Sequence, residues 1–381
     1  MSAEVAARAA EHGRFAIDTE FVAERRYQAM LCLAQVAVPD PGAADGVRTE
    51  VLDPLDGLDP RPLAAALADP AIEVVLHAGR QDVAILRRSW ATEVRNIFDT
   101  QVAAGFVGFG LQEGYESLVR KLLGVRLRGS EGFTRWDRRP LTKAQLAYAR
   151  DDARLLLALG DALEERLREA GRLEWAREES RALEAASDER DPDRLYERLP
   201  RLRRLEATQR AVARELVAWR EATARAVDRP AASVLPDHAV VEVARQLPRD
   251  RPGLEQIRGL PAQTLRRRGD ELVAAVARGR QAEPPPPPPE PGRRDRWDGP
   301  LMALAGALVR QRSLESGVAA ELIATQSELG TLVAAVRESR EPSGSRVVGG
   351  WRRRLVGAEL LELLAGRRTL SVDRGRLRVS G

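Results

Sequence analysis

The strongest constraint in this chain is the run Phe15-Ala16-Ile17-Asp18-Thr19-Glu20-Phe21, an apolar stretch that ends in two carboxylates one residue apart. Read as a β-strand, its period-two alternation puts Asp18 and Glu20 on the same side of the strand end. Two like charges held that close repel, and a cation between them relieves the repulsion. Oxygen ligands with no His or Cys beside them suit a hard ion, Mg²⁺ or Mn²⁺. A solvated strand end or a helix cap also accounts for an acid-x-acid triplet, so the choice rests on acids further along.

Residues 15–21, 30–38 and 50–54 read as a meander of strands separated by turn residues. A short helix is expected over 63–67 and a further apolar strand over 72–77. That strand runs into His77-Ala78-Gly79-Arg80-Gln81-Asp82, and a helical pattern starts at Val83. Asp82 is thus expected in the first turn of a helix beyond a strand's C-terminal edge, where open α/β sheets place their sites. An Asp there also complements the helix dipole. The third acidic element lies beyond Pro140, where Thr142 and Gln145 make a capping box for a helix. Tyr148 and Asp152 stand four apart and share a face. Asp151 flanks the same face, and helical geometry alone does not choose between the two acids.

In this order the residues resemble the three exonuclease motifs of the DEDD superfamily: Asp18-Thr19-Glu20, Asp82 in a His-Ala-x-x-x-Asp setting, and Tyr148-x-x-x-Asp152. Tyrosine in the third motif resembles the tyrosine subclass. Closer still, Tyr27 to Gln35, Phe98-Asp99-Thr100-Gln101 and Trp136-Asp137-Arg138-Arg139-Pro140-Leu141 resemble ribonuclease D, a likeness covering about residues 12–170. The resemblance implies four metal-binding carboxylates, Asp18, Glu20, Asp82 and Asp152, and leaves Asp151 as an extra acid. It implies two divalent ions, Mg²⁺ or Mn²⁺, with Asp18 bridging them, Glu20 and Asp152 at the ion that takes the attacking water, and Asp82 at the second. By the same resemblance Tyr148 is expected to orient that water, and Thr19, which lies between the first two ligands, is expected to offer its backbone to the terminal nucleotide. His77 is expected as a packing or supporting residue rather than a ligand. Phosphodiester hydrolysis asks for this equipment, because a water must be activated and charge offset at phosphorus.

Charge is unevenly spread. Residues 1–120 carry 11 Arg against 18 acids, whereas 194–270 carry 17 Arg against 10, so an acidic front precedes a basic middle. An enzyme acting on a polyanion uses the first for chemistry and the second for grip. Residues 153–186 are expected to continue the third-motif helix, and 187–193 to form a linker. Short helices punctuated by Pro and Gly follow over 195–281, resembling the helicase and ribonuclease D C-terminal (HRDC) domain through the Arg-x-x-x-Ala helix, Pro230, Asp237 and Ile257-x-Gly259. The unbroken prolines 284–289 predict a polyproline spacer within a linker at 282–299. Helical patterns over 300–308, 319–327, 329–337 and 358–364 resemble a second, more degenerate HRDC-like domain at 300–381.

The expected architecture is therefore an α/β exonuclease domain at 1–186, with a ribonuclease H-like mixed sheet flanked by helices, followed by two small all-α HRDC-type domains. The expected activity is 3′→5′ exoribonuclease action on RNA, tRNA precursors above all, releasing 5′-mononucleotides. A 3′→5′ DNA exonuclease and a non-catalytic RNA-binding protein are the alternatives. The lack of a P-loop or any polymerase or helicase segment weighs against the first, and the presence of all four acids and the tyrosine against the second. One cysteine, Cys32, no secretory leader and no membrane-length apolar run predict a cytoplasmic protein. Nothing in the sequence calls for an obligate protein partner.

Overall fold

The computed structural model describes residues 1–127, 134–288, 295–342 and 344–380. The chain forms two compact units, one of Met1–Glu20, Cys32–Ser187 and Pro291–Gly381, the other of Phe21–Leu31 and Asp188–Glu290.

The first unit opens with α1 (Ser2–His12) and a sheet of β1 (Arg14–Val22), β2 (Met30–Pro39), β3 (Val47–Leu52), β4 (Glu73–Leu76) and β5 (Ile97–Asp99), in the order β3-β2-β1-β4-β5. The sheet is mixed: β2 and β3 are antiparallel, while β1 with β4 and β4 with β5 are parallel. The strand bearing Asp18 and Glu20 is the middle one. A middle strand is covered on both faces, which is why Phe15, Ala16 and Ile17 are all fully buried and read as a continuous apolar run. Helices α2 (Arg61–Ala68), α3 (Arg80–Ser89), α4 (Thr100–Ala104), α5 (Tyr115–Leu123), α6 (Lys143–Arg154), α7 (Leu156–Glu169) and α8 (Leu173–Arg181) complete this part. The expected continuous helix over 153–186 is broken twice. It turns at Leu155, which ends α6, and again near Gly171, whose φ of 66° terminates the helical path. These turns let α6, α7 and α8 pack as separate pieces.

The second unit is all-α: α9 (Pro192–Glu197), α10 (Ala207–Ala226), α11 (Ala231–Val234), α12 (Asp237–Gln246), α13 (Arg251–Glu255) and α14 (Ala262–Gln281). Its core is built by Val212, Leu216, Val240, Leu254, Leu272 and Val276. The two long helices approach closely because Gly279 has no side chain; a Cβ there would sit 2.5 Å from the Cα of Val212. Residues 283–288 of the proline-rich linker carry no regular element, and the rest of the run lies outside the described residues.

Residues beyond the linker return to the first unit as α15 (Asp298–Ser316), α16 (Ala320–Ile323), α17 (Gln326–Arg337), α18 (Gly350–Arg352) and α19 (Ala358–Leu364), ending in a hairpin of β6 (Thr369–Asp373) and β7 (Arg376–Ser380). The segment expected to stand apart at 300–381 instead shares the nuclease core. Leu308, Leu332, Val347 and Leu360 belong to the same buried cluster as Phe106, Leu156 and Leu163. Trp351 stacks on Trp175 at 5.3 Å and meets Phe106 edge-on at 5.0 Å. The Ala319 N–H donates to Gly105 O at 2.8 Å, and buried Arg352 pairs with Glu179 of α8 at 2.5 Å. The amphipathic helices carry apolar faces that need a partner, and the nuclease supplies it. The pattern expected over 319–327 is two pieces, because Thr325 caps a new helix with Glu328.

Candidate active site

The site forms where β1, α3 and α6 bring their acids together. Asp18 and Glu20 lie two residues apart on β1, and Asp152 lies in the last turn of α6. One carboxylate oxygen from each of Asp18, Glu20 and Asp152 lies within 4.8 Å of the others. At an effective dielectric of about 20, two unit charges that far apart repel by roughly 3.5 kcal/mol, so the triad cannot ionise fully without a countercharge. Asp82, only 8% exposed in the first turn of α3, joins through Thr19, whose hydroxyl donates to Asp82 Oδ1 at 2.5 Å.

The acidities follow. Burial, then the charges of Asp82, Asp152 and Glu20, holds the Asp18 carboxyl well above the usual carboxylate range. Burial and the neighbouring Asp152 and Asp82 push Glu20 up to about 8. Asp82 and Asp152 are each raised by burial to about 6, although the Thr19 hydroxyl bond restrains the first and a Tyr148 hydrogen bond the second. An all-oxygen set that is half-buried and short of positive charge is the donor chemistry a hard divalent cation requires.

Tyr148 and Asp152 share one face of α6, as their spacing allows, and the phenol lowers the Asp152 carboxyl against the effect of its burial. Burial and the adjacent Asp152 raise the phenol, which keeps it neutral. The helix that carries them starts at the expected capping box, with Gln145 N–H donating to Thr142 Oγ1 at 3.1 Å and Thr142 N–H to Gln145 Oε1 at 2.9 Å. Just upstream, Arg139 pairs with Asp53 and donates to the carbonyl oxygens of Trp136 and Cys32, anchoring the approach to that helix. The choice between Asp151 and Asp152 is made by tertiary packing: the Asp151 carboxylate pairs with Arg154 at 3.5 Å, and Asp152 joins the acids. His77 is outside the cluster, its Nδ1 at 2.9 Å from the Thr100 hydroxyl and its pKa lowered by burial.

Two residues of the site escaped the motif reading. Asp99, 1% exposed, accepts the N–H groups of Ala78, Gly79, Gln101 and Val102, and so fixes the turn that launches α3 and Asp82. Tyr115 donates to the Asp151 carbonyl at 3.3 Å, where the break at Leu155 interrupts the helix, and packs on His77 with ring centroids 5.7 Å apart. Asp99 lay in a stretch with a family likeness and no assigned role; Tyr115 carried no sequence signal.

A sheet whose middle strand ends in paired acids, completed by a Tyr-x-x-x-Asp helix, defines a nuclease of the 3′-5′ exonuclease class, and the family model described as 3′-5′ exonuclease matches residues 1–168. The model of the HRDC domain matches residues 209–276. The chain belongs to the ribonuclease D family and is a 3′-5′ exoribonuclease. It is 34% identical to ribonuclease D of Nitrobacter hamburgensis, covering 98% of this chain and 96% of that one. Against ribonuclease D of Gluconacetobacter diazotrophicus the identity is 36%, over 95% of this chain and 90% of the relative. The crystal structure of Escherichia coli RNase D, described as an exoribonuclease involved in structured RNA processing, superposes with a TM-score of 0.81 at 28% identity, covering 96% of each chain. No helix among the described residues is long and apolar enough to cross a membrane.

Proposed function

We propose that this exoribonuclease trims the 3′ ends of structured RNA precursors, tRNA above all, with two divalent cations at the acidic site, releasing 5′-mononucleotides. The observation that carries the reading is the convergence of Asp18, Glu20 and Asp152 within 4.8 Å, with Asp82 tied in through Thr19. These four carboxylates would hold two Mg²⁺ or Mn²⁺ ions, which supply an activated water and offset charge at phosphorus. Tyr148, a phenol kept neutral by burial and the adjacent Asp152 charge, orients the water and does not serve as a free base. The Thr19 hydroxyl is committed to Asp82, which leaves its backbone for the terminal nucleotide. The basic second unit grips the RNA through phosphate contacts. In domain terms we take 1–186 as the nuclease and 195–281 as the HRDC domain, with the helices of 300–381 an HRDC-like element merged into the nuclease core. The cytoplasm, where a lone cysteine stays reduced, is the compartment this reading implies.

The test uses a tRNA with a short 3′ trailer, labelled at its 5′ end, beside a DNA strand of the same sequence. The expected result is a ladder shortening one nucleotide at a time from the RNA, abolished by EDTA and lowered about 10³-fold by Asp152→Asn, equivalent to about 4 kcal/mol of transition-state stabilisation. Preferential shortening of the DNA overturns the RNA assignment, and binding without cleavage of either overturns the catalytic one.

A further inference from the structure

The second unit contains a pocket of about 460 Å³ lined by four arginines. Arg25, Arg229, Arg267 and Arg268 line it together with Val227 and Gln263, and no carboxylate does so among the described residues. Four guanidiniums around one cavity repel one another, a repulsion that water softens because Arg25, Arg229 and Arg267 are exposed and that a bound polyanion would relieve. Among the described residues only Arg268 of the four has a carboxylate partner, Glu271 at 3.1 Å. The side chains of the other three make no hydrogen bond or ion pair to the described residues, and their fork-shaped donors suit bidentate contact with a phosphate.

The pocket is built rather than accidental. Arg25 belongs to the loop between β1 and β2, some 200 residues before its neighbours in the chain, and it is held there by specific bonds. Arg26 pairs with Asp228 at 2.7 Å, and the Tyr27 N–H donates to the other oxygen of Asp228 at 3.1 Å. The Tyr27 ring is buried among Ala224, Ala231 and Val234. These contacts fasten the loop to the turn carrying Val227 and Arg229, so Arg25 and Arg229 face the same cavity. On the far wall α14 breaks its helical path at Arg268, with φ −137° and ψ 17°, where Arg267 and Arg268 enter the lining. Val227 is an unusually exposed apolar residue for this unit, at 41%. It offers an apolar surface among cations, the combination that a sugar flanked by phosphates matches.

We propose that this pocket is a binding subsite for the phosphodiester backbone of RNA, with Arg25, Arg229 and Arg267 on phosphate oxygens and Val227 against the sugar. The proposal deepens the exoribonuclease reading and rests on it. It assigns the grip of the second unit to one formed cavity, completed by a residue outside the HRDC segment, rather than to diffuse positive charge.

The full-length protein carrying Arg229→Gln and Arg267→Gln tests it, with Arg25→Gln as a second variant and Arg203→Gln/Arg204→Gln as an exposed control that removes the same charge elsewhere in the unit. Affinity for a tRNA with a 3′ trailer is measured in EDTA across salt concentrations, and hydrolysis of a ribodinucleotide is measured in Mg²⁺. The double pocket variant is expected to bind about 10- to 100-fold more weakly, with a slope of log affinity against log salt shallower by about 1.4 to 1.8. Arg25→Gln is expected to weaken binding by about 10-fold, and the control by less than about threefold, with dinucleotide hydrolysis unchanged in all of them. Pocket variants that match the wild type, or a control that weakens binding equally, overturn the proposal. Wild-type protein that neither binds nor shortens the RNA overturns instead the reading beneath it.

Discussion

Replacing Glu20 with glutamine tests whether the site is a store of unfavourable charge awaiting a cation. The Glu20 carboxyl rises from an ordinary 4.5 to about 8 on folding. The folded state therefore holds the proton more tightly than the unfolded chain. Stability is unaffected below pH 4.5, falls as pH climbs from 4.5 to about 8, and bears the whole cost above that. At 1.36 kcal/mol per pH unit the ceiling is about 5 kcal/mol. Sharing of protons with Asp18, Asp82 and Asp152, together with solvent relaxation, brings the expected cost to about 2–3 kcal/mol. Glu20→Gln removes the charge at nearly constant shape. In EDTA, urea unfolding should find the variant about 2–3 kcal/mol more stable than wild type at pH 8.5 and equal to it near pH 4.5. Adding Mn²⁺ at pH 8.5 should stabilise the wild type more than the variant, because binding to the folded state alone shifts the equilibrium by mass action. A variant no more stable at pH 8.5, or one whose advantage is the same at both pH values, would refute the electrostatic reasoning.

If the phenol orients the water as proposed, Tyr148→Phe should keep Mn²⁺ binding within a few-fold by calorimetry and lower kcat about 10- to 100-fold. Equal losses in metal binding and turnover would make it part of the cation site instead. Trp351→Ala should destabilise the nuclease unit by about 3–5 kcal/mol in urea unfolding, because its ring is fully buried against Trp175 and Phe106. A loss below about 1 kcal/mol would mean that the C-terminal helices do not share the core.

Local patterns were legible wherever a short-range rule governs. The acidic strand, the strand that leads into the Asp82 helix and the Thr142–Gln145 capping box all lie within a few expected residues, because alternation and capping act between near neighbours. The long helix expected over 153–186 failed for the opposite reason. Helix-forming residues surround Leu155, where the chain nonetheless turns, whereas Gly171, a glycine at φ 66°, is a local stop that the pattern of its neighbours masked. Strand β5, three residues long, is too short for periodicity to mark.

By itself the sequence determined which acids exist, their spacing within each motif, the tyrosine four residues before Asp152, and the acidic front and basic middle of the chain. Those properties are carried along the chain and need no partner. Tertiary structure alone brought Asp152, the acid the family likeness had already singled out over Asp151, beside Asp18 and Glu20, and decided that Asp99 and Tyr115 brace the site and that Arg25 lines a pocket with Arg229 and Arg267. It also decided that the C-terminal helices close the nuclease core. Each of these joins residues far apart in the chain, and which of several amphipathic faces meets which is set by complementary packing of whole surfaces, which no local pattern encodes.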